Sequence, residues 1–186
     1  MESATLTLRE KVRKIHRVNR LLWLAVLSGM LVLTVVAFIF YYFKLVEWNP
    51  NAYRNFDRIV YLVVLFLLFL IFYLKRHYLE PNKLVERVKN RQVVINIEDM
   101  ADLLQQFGSE YDLLARALTL TRRYLMLIWS VANLILIIGF IYFLMTGLLK
   151  AYLIYALIAI YSIAINFPAF SYIERCYIKL YDKPLE

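Results

Sequence analysis

Hydrophobic positions in this chain fall into four long uninterrupted runs, and the charged residues fall between them. There are 23 residues without a charge between Arg20 and Lys44, 16 between Arg58 and Lys75, 26 between Arg123 and Lys150, and 23 between Lys150 and Glu174. A bilayer core about 30 Å thick takes roughly 20 apolar helical residues to cross. The pattern predicts an all-α, polytopic integral membrane protein with four transmembrane helices. Its expected parts are a basic amphipathic helix over 1–20, a first hairpin over 21–75 (spans 21–43 and 59–74), a polar helical segment over 76–121, a second hairpin over 122–173 (spans 124–145 and 148–172) and a tail over 174–186.

Outside the runs the spacing changes. Leu8, Val12 and Ile15 share one helical face, while Arg9, Arg13, Arg17 and Arg20 lie on others. This predicts a surface helix leading into span 1, with Arg13, Lys14, Arg17 and Arg20 placed to meet lipid headgroups. Span 2 has only 16 apolar residues and reaches about 24 Å; it snorkels through Arg58, Lys75 and Arg76, or else its helix starts earlier, near Tyr53. In the polar segment, Pro81 separates span 2 from a short basic helix over 82–90. Asn96 is a suitable N-cap with Glu98 and Asp99 in the first turn. From there Met100, Leu103, Leu104, Phe107, Leu114, Ala117 and Leu118 keep helical spacing for about 20 residues. The segment reads as a helical hairpin whose basic and acidic arms can pair. The face of Met100, Leu103, Leu104, Phe107 and Leu114 must bury against something: the first arm, the N-terminal helix or a partner protein.

Spans 3 and 4 are joined by a turn at Thr146-Gly147, which makes them antiparallel neighbours. Pro168 falls inside span 4, where it removes a backbone hydrogen bond and kinks a helix. The halves also resemble one another. Val35–Ile39 is similar to Ile137–Ile141, and Tyr73–Leu79 to Tyr172–Ile178, at offsets of 102 and 99. That suggests two tandem hairpins related by an axis normal to the membrane.

Composition narrows the class. The 186 residues are 62% hydrophobic, above the 45–50% or so of soluble domains, and mean hydropathy is +0.60. No room is left for a separate soluble catalytic domain. The net charge of +8 is explained by its distribution. Eighteen Lys/Arg lie in 1–20, 75–123 and 174–186, against four in the opposite connections (Lys44, Arg54, Arg58 and Lys150). By the positive-inside rule both termini are cytoplasmic, facing anionic lipid. Nucleic-acid binding is not expected, because no basic patch with stacking aromatics lies outside the membrane.

Candidate chemistry is sparse. No Asp, Glu, Lys, Arg or His falls inside a run, which argues against a proton or ion-coupled pathway. His16 and His77 lie at the edges and are not placed for haem. Cys176 stands alone, so no internal disulfide or zinc cluster forms; it is a bare thiol or an acylation site. No nucleotide, hydrolase or metalloprotease motif is present. The expectation is no enzyme and no cofactor. One polar group remains in the membrane: Ser130 and Asn133 on span 3, Ser162 and Asn166 on span 4, each pair on one helical face. Two readings are open, a hydrogen-bonded clasp between Asn133 and Asn166 or a polar lining for a neutral solute. Two functions follow: a non-catalytic subunit or assembly factor that binds other membrane subunits, or a self-associating channel or small transporter.

Overall fold

The computed structural model describes residues 7–90 and 98–185. Its regular elements are all helical: α1 Leu8–Tyr42, α2 Pro50–Tyr78, α3 Pro81–Asn90, α4 Glu98–Phe107, a 3₁₀ turn at Ser109–Tyr111, α5 Asp112–Thr146, α6 Leu149–Ala164 and α7 Phe170–Tyr181. Three helices are long and apolar enough to cross a membrane, within Leu8–Tyr42, Phe56–Tyr78 and Ser109–Thr146. This is the pattern of a multi-pass integral membrane protein.

Several boundaries differ from the sequence expectation, each for a local reason. The short second run is embedded in a 29-residue helix, since Pro50 can occupy the first helical turn, where its missing N–H is no loss. The periodicity from 98 to 118 is interrupted at Gly108, whose φ of 95° is open to glycine and strained for other residues; α4 stops and α5 restarts. The run over 148–172 is two helices, not one kinked helix. Pro168 cannot donate to Ala164, and its ring would strike that carbonyl if the helix continued, so α6 ends at Ala164 and α7 begins at Phe170. α2, at the corresponding place in the first half, has Phe69 and runs on unbroken. The expected N-cap at Asn96 lies outside the described residues.

The chain forms two compact units. The first comprises residues 1–22, 74–126 and 168–186. Its larger core joins Leu8, Val12 and Ile15 of α1 with Leu103 of α4, Leu114, Ala115 and Leu118 of α5, and Ile173 and Tyr177 of α7. A second core gathers Leu84 and Val88 of α3, Ala117 and Leu120 of α5, and Cys176 of α7. The two arms of the polar segment therefore meet by apolar contact, through α3 and the first turns of α5. α3 packs on α7, and α4 meets α1, with Lys11 Nζ 3.9 Å from Asp102 Oδ2. Arg9 bonds Glu174 at 3.1 Å. Tyr181 ties α7 down: its hydroxyl donates to the Glu110 carbonyl at 3.0 Å and accepts from the Leu114 amide at 3.2 Å.

The second unit comprises 23–73 and 127–167. Met30, Ala37, Ile71, Ile128, Ala132, Ile135 and Leu136 are buried in it. α5 and α6 approach closely at Gly139, where a Cβ would lie 2.8 Å from that of Tyr155; small residues allow such contacts between membrane helices. Around this point Phe140, Phe143 and Tyr152 form a ring cluster with centroids 5.9–6.3 Å apart. The turn after α5 rests on the connection after α1. The Asn49 amide donates to the Thr146 carbonyl at 3.1 Å, and Gly147, with φ 73°, would place a Cβ 2.6 Å from the Glu47 carbonyl oxygen.

Candidate functional site

The polar positions of the second hairpin meet at the broken end of α6. A helix leaves its last four carbonyls without intrahelical partners, and in a membrane stretch unpaired carbonyls are costly. Here all four are met. The Ile165 amide bonds the Tyr161 carbonyl at 3.0 Å, the Asn166 amide bonds Ile163 at 3.1 Å, and the Phe167 amide bonds Ala164 at 3.2 Å. The Asn166 side-chain Nδ2 donates to the Ser162 carbonyl at 2.7 Å. Two tryptophans complete the cap from other helices: Trp23 Nε1 of α1 donates to the Ile163 carbonyl at 3.0 Å, and Trp129 Nε1 of α5 to the Asn166 carbonyl at 3.3 Å. Phe167 packs edge-on against Trp23, centroids 5.0 Å apart.

This arrangement replaces the expected clasp. Ser162 and Asn166 are buried and come together, but Ser130 is exposed and Asn133 half-buried. Among the described residues no hydrogen bond joins either of them to Ser162 or Asn166. Ser162 Oγ turns back to the Ile158 carbonyl at 2.7 Å. The inter-helix bond at this depth comes from Trp129, one turn before Asn133. Asn166 Oδ1 stays buried without a partner among the described residues. Two further polar pairs of this unit went unread in the sequence. Tyr142 donates to Asp57 Oδ1 at 2.9 Å, and Tyr152 to Thr34 Oγ1 at 3.2 Å. A tyrosine in an apolar run is ambiguous by itself, since its hydroxyl needs a partner that only the tertiary fold supplies.

In the first unit, Leu103 and Leu114 of the expected partner-binding face are fully buried, and Leu104 and Phe107 pack on the same core. That face is covered by the chain's own α1 and α7. The Met100 side chain lies outside the described residues. Arg13, Lys14, Arg17 and Arg20 are all exposed on α1, as headgroup contacts require, and Arg13 lies over the Phe170 ring at 5.6 Å. His16, on the opposite face, is 5% exposed and set edge-on to Phe170 at 5.5 Å. Its pKa is lowered by burial and by Arg20, against a smaller opposing effect of a hydrogen bond to Pro168. Cys176 is buried in the α3–α5–α7 core and burial pushes its thiol up to about 11, which makes it a packing group and a poor nucleophile. Comparison with protein families, curated proteins and solved structures finds no match to this chain.

Proposed function

We propose that this protein is a non-catalytic membrane subunit or assembly scaffold that crosses the bilayer four times with both termini in the cytoplasm. The observation that carries this reading is the use made of polar groups inside the membrane stretches. Ser162, Trp23, Trp129, Tyr142 and Tyr152 all spend their donors on bonds within the chain. A transport pathway needs such groups turned toward a solute. The apolar surface supports the same reading. Of the most apolar window of each long helix, 44% is buried for α5 but only 22% for α2 and 11% for α1. α2 in particular offers Leu62, Phe66, Phe69 and Tyr73, all exposed, to lipid or to neighbouring subunits. The fourth crossing falls to α6, whose 16 residues reach about 24 Å, extended by the apolar residues that follow it. The eighteen-to-four distribution of Lys/Arg sets the orientation.

A second reading, a homo-oligomeric channel or small transporter for a neutral solute, is favoured by one observation, the unpartnered Oδ1 of buried Asn166. The two readings separate on purification from the native membrane in mild detergent, with particle mass measured and co-purifying chains identified. Different chains at fixed ratio support the subunit. A single-component oligomer that passes solute in liposomes, and loses flux but not fold in the Asn133→Leu, Asn166→Leu double variant, replaces it with the channel. Reporter fusions at each terminus check the orientation.

A further inference from the structure

Two tyrosines close the boundary between charged and apolar sequence on two helices of the first unit. Tyr78 follows Lys75, Arg76 and His77 at the end of α2, and Tyr124 follows Arg122 and Arg123 where the apolar run of α5 begins. Their rings stack at 4.4 Å with 30° between planes. α3 then brings Arg87 over the outer face of Tyr78, its guanidinium carbon 4.1 Å from the ring centroid. The result is a three-layer stack of Arg87, Tyr78 and Tyr124 drawn from three helices. Leu84 and Val88, on the same face of α3 as Arg87, hold it down through the core with Ala117, Leu120 and Cys176.

Among the described residues no carboxylate pairs with this guanidinium. Arg87 is half-buried, and its Nη1, packed inside, has no hydrogen-bond partner among the described residues. Three carboxylates of this unit are committed to other cations: Glu80 to Lys83 at 3.1 Å, Asp112 to Arg116 and Glu174 to Arg9. Glu86, next to Arg87 in sequence, is exposed. Over 74–90 there are five Lys/Arg and two Glu, and Arg122 and Arg123 add to the surplus. A planar donor fork held rigid by stacking suits a phosphate oxygen pair better than a point charge does. The end of an apolar run, marked by tyrosines and cations, is the depth at which phosphates of a bilayer lie.

We infer that the Arg87–Tyr78–Tyr124 stack is a binding site for one phosphate group, supplied by the headgroup of an anionic phospholipid. The ligand phosphate accepts from the part of the half-buried Arg87 guanidinium left open at the surface, and the surrounding positive surplus selects net-negative headgroups over zwitterionic ones. This site is built by α2, α3 and α5, whereas the exposed arginines of α1 line a surface helix. It does not depend on which side of the membrane the termini occupy.

The test uses the full chain in nanodiscs of equal parts phosphatidylglycerol and phosphatidylcholine, released into native mass spectrometry. Wild type should retain phosphatidylglycerol in preference, and Arg87→Gln should retain about tenfold less, the worth of one charge-assisted bond. Arg54→Gln, an exposed cation at the start of α2, should match wild type. Arg87→Lys keeps the charge without the planar fork and should fall several-fold; it serves if Arg87→Gln does not fold. A second arm adds inorganic phosphate to protein in phosphatidylcholine alone. A rise in thermal midpoint that needs Arg87 would support the site but overturn the lipid as its source. Equal phosphatidylglycerol retention by wild type and both Arg87 variants, or no headgroup preference in wild type, overturns the proposal.

Discussion

Burial and the neighbouring Arg20 hold His16 toward its neutral form. Pro168 has no N–H, so the bond between them runs from an imidazole N–H to the proline carbonyl. Nδ1 is buried with no partner among the described residues, so Nε2 is the donor. A second proton would go onto Nδ1, where nothing accepts it and where Arg13 and Arg20 are close by in sequence. Burial and Arg20 lower this pKa below the ordinary 6.5, so the folded chain holds the proton less readily than the unfolded one. The contribution to stability is complete above 6.5 and is lost as the pH falls below it. The thermal midpoint in detergent should drop between neutral and mildly acidic pH, and His16→Phe, which keeps a ring against Phe170, should flatten that slope. An unchanged slope would place the titration elsewhere. Trp129 is testable by the same method. Trp129→Phe keeps the ring but leaves the Asn166 carbonyl unmet, and should cost about 1 kcal/mol. Unfolding in mixed micelles would measure it.

At the scale of elements, two close approaches fix how helices meet. Gly147 combines a positive φ with a carbonyl 2.6 Å from where a Cβ would stand. Backbone, unlike a long side chain, cannot swing aside, so Gly147→Ala should destabilise by about 1–3 kcal/mol. Gly139→Leu should push α6 from α5 and disturb Tyr155; a unique crosslink between the two helices would lose yield. Both glycines were visible in the sequence, but only Gly147 announced its role, as the turn between two long apolar runs. The helical class and the positions of the apolar runs were equally legible, because length without charge is a one-dimensional signal. Pro168 was legible as a disturbance and not as a stop. Whether a proline kinks or ends a helix depends on what can satisfy the freed carbonyls, and here the donors, Trp23 and Trp129, are 140 and 37 residues away from their acceptors. The spacing of Leu103 and Leu114 says that their face needs cover. Spacing along one helix cannot say that the cover is Leu8, Val12 and Ile15, nearly a hundred residues earlier.

For the molecule as a whole, α5 is the shared support. Leu114, Ala117, Leu118 and Leu120 serve both cores of the first unit, and Trp129, Gly139 and Tyr142 organise the second. Helix lengths also differ across the protein. α5 has 35 residues, whereas α6, which the proposed topology makes the fourth crossing, has 16 and falls short of a hydrocarbon core of about 30 Å. Such mismatch is met by local thinning. The thermal midpoint should therefore be higher in nanodiscs of shorter acyl chains, and a midpoint that rises with chain length would show that α6 lies otherwise. The cap on α6 has an optical consequence as well. The chain has three tryptophans; two of them bond the same loop, and the third, Trp48, is 54% exposed. Intrinsic fluorescence is thus mainly a local gauge of the 163–167 segment, while circular dichroism counts helix throughout. If the loop opens before the helices melt, the emission change will precede the ellipticity change, and the gap between the two curves will measure how much less stable that loop is than the helices around it.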